Sequence, residues 1–99
     1  MKNRYLNMIG LAYRAGQCSI GEENIIKDIQ KRRAHLILLA NDIGMQTKKK
    51  LIDKCETYKV PYMIVDDRET LSQSIGKTNR VALAILEKGF ATKIQSLLR

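Results

Sequence analysis

Two short segments hold most of the groups in this chain that can bind something: Gly21-Glu22-Glu23-Asn24-Ile25-Ile26-Lys27 and Ile75-Gly76-Lys77-Thr78-Asn79-Arg80. The first sets carboxylates, a carboxamide and an ammonium at the opening of a helical pattern. The second sets cations beside an amide and a hydroxyl in a loop. Neither places a nucleophile next to a base, so the chemistry on offer is recognition and not bond making. Asn24 both donates and accepts, which suits a base edge, and Glu23 can accept from an amino group while repelling nearby phosphate. Lys27, Lys31, Lys77 and Arg80 can neutralise phosphate, Asn79 adds a polar group, and Ile75 is expected to pack on a base or ribose. Gly21 and Gly76 supply backbone freedom at the two ends of the set.

The elements that must carry these groups follow from the periodicity. At roughly 100° per residue, Glu23, Asn24, Lys27 and Lys31 share about one quadrant of a helix running from Gly21 to about Arg32 or Arg33. Ile25, Ile26 and Ile29 fall on the far side, toward a core. The helix N-terminus adds free N–H groups and a positive dipole end to the lysines. Upstream, Asn3 can cap a helix ending near Arg14, with Gly16 as its stop, and Cys18 to Ile20 is a short strand. Downstream, Leu36 to Ala40 reads as a strand buried on both faces, Asn41 to Gly44 as a turn, and Thr47 to Thr57 as a helix with Leu51, Ile52 and Cys55 inward. Pro61 opens a strand through Val65, and Asp66 with Glu69 resembles a capping box for a short helix ending near Gly76. Val81 to Leu86 is another buried strand, and Gly89 to Leu98 a closing helix. Strands alternating with helices predict an α/β fold, a three-layer α/β/α sandwich with a mixed four-stranded sheet.

Composition narrows the partner. Residues 1–99 suit one domain, and a formal net charge of +8 with a pI near 9.7 favours a polyanion. Apolar runs are strand-sized, so no membrane partner is expected and a soluble, cytoplasmic monomer is the reading. Cys18 and Cys55 match no redox pair or zinc spacing, and His35 is the single histidine, so neither metal nor cofactor nor catalysis is expected. The few aromatics argue against a single-strand binder built on stacking.

Read with their flanks, these residues resemble the kink-turn-binding ribosomal protein family typified by archaeal ribosomal protein L-seven-Ae, and within it a small bacterial branch. The flanks are the strand Leu36 to Ala40, Asp53-Lys54-Cys55, Tyr58 to Tyr62, Ser74 to Lys77, Arg80-Val81 and Gly89-Phe90-Ala91. The resemblance implies a non-enzymatic RNA-binding protein whose partner is structured RNA containing a bulge beside tandem G·A pairs, in ribosomal RNA or an mRNA leader, with the ribosome as a further partner. The family's motif is Gly-x-Asn-Glu-x-x-Lys. Gly21 and Lys27 match it, while Glu23 stands at the Asn position and Asn24 at the Glu position. The loop from Ile75 to Arg80 corresponds to the family's second contact and is more basic here.

A physical argument also favours an irregular target, because the major groove of a regular A-form helix is too deep and narrow for side chains to read. Other readings stay open on the residues alone. Glu23 and Lys27 can simply pair at i, i+4 on a solvated face. The chain can equally be a protein-interaction module of the translation machinery, or the substrate-binding domain of an RNA-modifying enzyme. DNA binding has no helix-turn-helix signature to support it.

Overall fold

The computed structural model describes residues 3–98, in the order α1 (Asn3–Arg14), β1 (Cys18–Ile20), α2 (Glu22–Gln30), β2 (Leu36–Leu39), α3 (Met45–Tyr58), β3 (Tyr62–Ile64), α4 (Arg68–Gln73), β4 (Ala82–Ile85) and α5 (Lys88–Leu98). The strands form one mixed sheet in the order β1-β4-β2-β3, with β2 and β3 parallel and the other pairs antiparallel. The two central strands are buried throughout because both sheet faces are covered. Leu36, Leu38, Leu83 and Ile85 pack with α1, α4 and α5 on one side; Ile37, Leu39, Ala82 and Ala84 pack with α2 and α3 on the other. This is the expected three-layer α/β/α sandwich. The side chain of Asn3, expected to cap α1, lies outside the described residues.

Four helices stop in the same way. After α1, α2, α3 and α4 the residues Gly16, Arg32, Lys59 and Gly76 take left-handed φ values of 74°, 59°, 58° and 69°. The next amide reaches back to a carbonyl of the last turn: Gln17 to Ala12, Arg33 to Asp28, Val60 to Cys55 and Lys77 to Ser72, at 2.8 to 3.0 Å. Such paired bonds satisfy carbonyls that a helix end leaves orphaned. They also end α2 at Gln30, short of the expected Arg32 or Arg33.

The start of α4 also differs from the sequence expectation. Asp67, not Asp66, is the cap, its Oδ1 accepting from the Thr70 amide at 2.7 Å. That bond holds the Asp67 carboxyl below its usual range. Asp66 instead accepts from the Tyr5 hydroxyl, tying α1 to the end of β3. Burial first, and then the neighbouring Asp66, raises the Tyr5 phenol above its ordinary value.

Gly10 lets α1 approach α4. A Cβ there would stand 2.8 Å from the Ser74 carbonyl oxygen, a backbone atom that cannot swing away. Helix propensity favours Ala over Gly by about 1 kcal/mol, while overpacking costs about 1–3 kcal/mol, so Gly10→Ala is expected to destabilise on balance. Chemical denaturation checks this; a stabilised variant would show that the two helices separate freely.

Candidate nucleic-acid interface

The strand registers bring the two segments together. Ile20 pairs with Leu83, Leu39 with Ala82, and Leu39 with Ile64. The chain therefore leaves β1, β2 and β3, and enters β4, at one end of the sheet. Gly21 at the head of α2, the turn 40–44, the head of α4 and the loop 76–80 all gather there.

At α2, Gly21 has φ 89° and ψ 134°, a conformation open to glycine, and its carbonyl accepts from the Ile25 amide at 2.9 Å. Glu23, Asn24 and Lys27 are exposed while Ile25 and Ile29 are fully buried, as the helical spacing predicts. Ile26 is half-buried and joins Glu22, Glu23, Asn24, Lys27, Gln30 and Lys50 around a shallow cleft of about 300 Å³. No Glu23–Lys27 ion pair forms among the described residues, and Lys27 is exposed. Asn24 Nδ2 donates to the Ile20 carbonyl at 3.1 Å, which fixes the carboxamide against the end of β1. Lys31 is the C-cap of α2, its N–H bonded to the Lys27 carbonyl, so it sits at the far end of the helix from Gly21.

Glu22 and Lys50 are the residues that sequence reasoning missed here. Lys50 Nζ donates to Glu22 Oε2 at 2.9 Å, joining α3 to the first turn of α2. The Lys48-Lys49-Lys50 run was visible in the chain, but nothing local showed that it faces α2. The bond from Lys50 lowers the Glu22 carboxyl below its ordinary range. Neutralising one of two adjacent carboxylates reduces the repulsion that a phosphate would meet at this helix start. Glu22 is expected to titrate below an ordinary glutamate and to return toward it in Lys50→Ala, as carboxyl NMR would record. Because the folded value is the depressed one, the pair contributes above the ordinary carboxylate range and is lost as pH falls through the lowered value.

The loop 76–80 is built from its backbone outward. Gly76 takes φ 69° and Asn79 φ 56°, and Lys77, Thr78 and Asn79 are exposed. The buried Ser72 hydroxyl accepts from the Arg80 amide at 2.7 Å and donates to the Arg80 carbonyl at 3.2 Å. Arg80 is half-buried, with its Nε enclosed and lacking a partner among the described residues. The surface role expected for Ile75 is corrected: this side chain is 7% exposed and packs in the core with Tyr5, Ile9 and Leu71. It falls before the left-handed turn at Gly76, on the inner side of the α4 end.

Burial pushes the Cys18 thiol up to about 12, and burial followed by Glu56 pushes Cys55 up to about 11, so both stay protonated at neutral pH. Among the described residues no cluster of three or more His, Cys, Asp or Glu can hold a metal ion. Among them, too, no helix is long and apolar enough to cross a membrane.

A three-layer α/β/α domain with polar and basic groups at one end of its sheet defines a class, and the chain belongs to it: it is a member of the ribosomal protein L7Ae/L30e/S12e/Gadd45 family, matched over residues 4–95. It is 48% identical over 91 residues to the RNA-binding protein YlxQ of Bacillus subtilis (strain 168), which covers 92% of this chain and 91% of that protein. The solved structure of a protein with unknown function from Bacillus halodurans C superposes with a TM-score of 0.93 at 40% identity, over 96% of each chain. The Giardia lamblia 15.5kD RNA binding protein shares the fold, with a TM-score of 0.79 at 19% identity over 93% of this chain and 85% of that one. The resemblance seen in the two segments and their flanks therefore holds at the level of the family.

Proposed function

We propose that this chain is a non-enzymatic RNA-binding protein that recognises a kinked RNA, a short bulge beside tandem G·A pairs, in ribosomal RNA or an mRNA leader. The observation that carries the reading is the meeting of the α2 head and the loop 76–80 at one end of the sheet, with Lys27 exposed and in no ion pair among the described residues on one side and Lys77 exposed on the other. Family membership and the name of the Bacillus subtilis relative support the RNA part. The kink is supported by groove geometry. A helix head presenting Glu23, Asn24 and Lys27 meets base edges only where a bulge or non-Watson–Crick pairs open the groove. The protein acts as a cytoplasmic monomer, with phosphate contacts setting register and the pair Glu23 and Asn24 reading bases.

Amide chemical shifts followed during titration with a kink-turn RNA test where it binds. Changes are expected at residues 21–27 and 76–80, with little at His35, Leu86 and Gln17 at the other end of the sheet. Changes centred on that far end would place the interface elsewhere.

A further inference from the structure

Arg68, the first residue of α4, touches both loops that flank a second cleft of about 590 Å³ lying between Asp42, α4 and Lys77 to Asn79. Its Nη1 donates to Asn79 Oδ1 at 3.2 Å and its Nη2 to the Asp42 carbonyl at 2.6 Å. Nε lies 3.4 Å from Asp42 Oδ2, and the Arg68 amide donates to Asp42 Oδ1 at 3.0 Å. Asp42 is thus held by backbone and side chain together, and Asn79 is held in its left-handed conformation.

We propose that Arg68 is a positioning residue that orders the loop 76–80 against the turn after β2 before any target arrives. The role rests on the RNA-binding reading above. The loop is pinned at Lys77 by the Ser72 carbonyl (3.0 Å), at Arg80 by the Ser72 hydroxyl, and at the Asn79 side chain, among the described residues, by Arg68. Removing Arg68 therefore frees the exposed tip between two anchors. A loop already fixed in its bound form loses less conformational freedom on binding. The Arg68 ion pair is solvent-screened and weak in itself, its side chain being 39% exposed. What it supplies is geometry: a planar fork reaching two partners at once, which a lysine's single point charge cannot reproduce. Nη1 and Nη2 donate to oxygens of Asn79 and Asp42 and Nε lies beside the Asp42 carboxylate, so the Arg68 guanidinium is engaged within the fold.

The test compares the full chain with Arg68→Ala and Arg68→Lys. In the free protein, hydrogen exchange at the Lys77 and Arg80 amides is expected to quicken about tenfold in both variants, with β2 and β4 amides unchanged. Affinity for a kink-turn RNA is expected to fall about tenfold in both, while the slope of log affinity against log salt stays at the wild-type value. Unchanged loop exchange overturns the proposal. So does rescue by lysine together with a slope reduced by about one in the alanine variant, the signature of a phosphate contact. Absence of wild-type binding at every salt would overturn the RNA reading itself, and the role with it. Normal wild-type binding with unaltered loop exchange overturns the positioning role alone.

Discussion

Raising salt from about 50 to about 200 mM is expected to weaken RNA binding about 15- to 60-fold. Lys27, Lys77 and Arg80 offer about three phosphate contacts at this end of the sheet, Lys31 lying at the far end of α2, and each releases condensed counterions, which gives a slope of log affinity against log salt of roughly −2 to −3. The structure refines which cations count. Lys50 is engaged with Glu22 and Arg68 with Asp42, so neither adds to the slope. Lys27 has no such partner among the described residues, and Lys77 is exposed at the loop. Titrations across salt measure the slope directly. A flat dependence would contradict an interface made of these groups.

Lys27→Ala is expected to cost about 1–3 kcal/mol of binding, or roughly 5- to 150-fold. Its ammonium is exposed in the second turn of α2 and takes part in no ion pair among the described residues, so its loss leaves no buried charge behind. Fold stability should therefore be nearly unchanged, which separates a binding defect from an unfolding one. Arg80→Ala is expected to weaken binding more uniformly across RNA sequences, because phosphate contacts position a protein without specifying a base. Wild-type affinity in both folded variants would move the site away from this end of the sheet.

Much of this arrangement was legible in the chain because its signals are local. The 3.6-residue spacing on α2 separates Glu23, Asn24 and Lys27 from Ile25 and Ile29, and the apolar runs mark the two central strands. Gly16 and Gly76 announce their helix ends. Arg32 and Lys59 do not, since a left-handed residue with a side chain is set by the carbonyls it helps to satisfy and not by its own preference. Asp66 and Asp67 are adjacent, and the cap falls to Asp67 while Asp66 is engaged by the Tyr5 hydroxyl across the fold. Ile75 resembles a surface group until the turn at Gly76 fixes the side it faces. The Glu22–Lys50 and Arg68–Asn79 contacts join separate elements, which no local spacing encodes. Likewise, the meeting of the α2 head with the loop 76–80 depends on strand order, a long-range property.

The central claim is that Glu23 and Asn24 read G·A pairs although they stand in reverse order to the family's motif. In the folded protein Asn24 Nδ2 is bonded to the Ile20 carbonyl, which leaves Oδ1 and one N–H of the carboxamide uncommitted among the described residues, and Glu23 is an exposed acceptor beside it. The direct measurement is the affinity of the wild type and of the double variant Glu23→Asn with Asn24→Glu for two matched RNAs, a kink-turn and the same RNA with its G·A pairs made Watson–Crick. The wild type is expected to bind the kink-turn and to lose most of that affinity, by about 1–3 kcal/mol, on the paired RNA, because the groove closes and the polar groups lose their partners. Equal binding of both RNAs by both proteins would contradict the account.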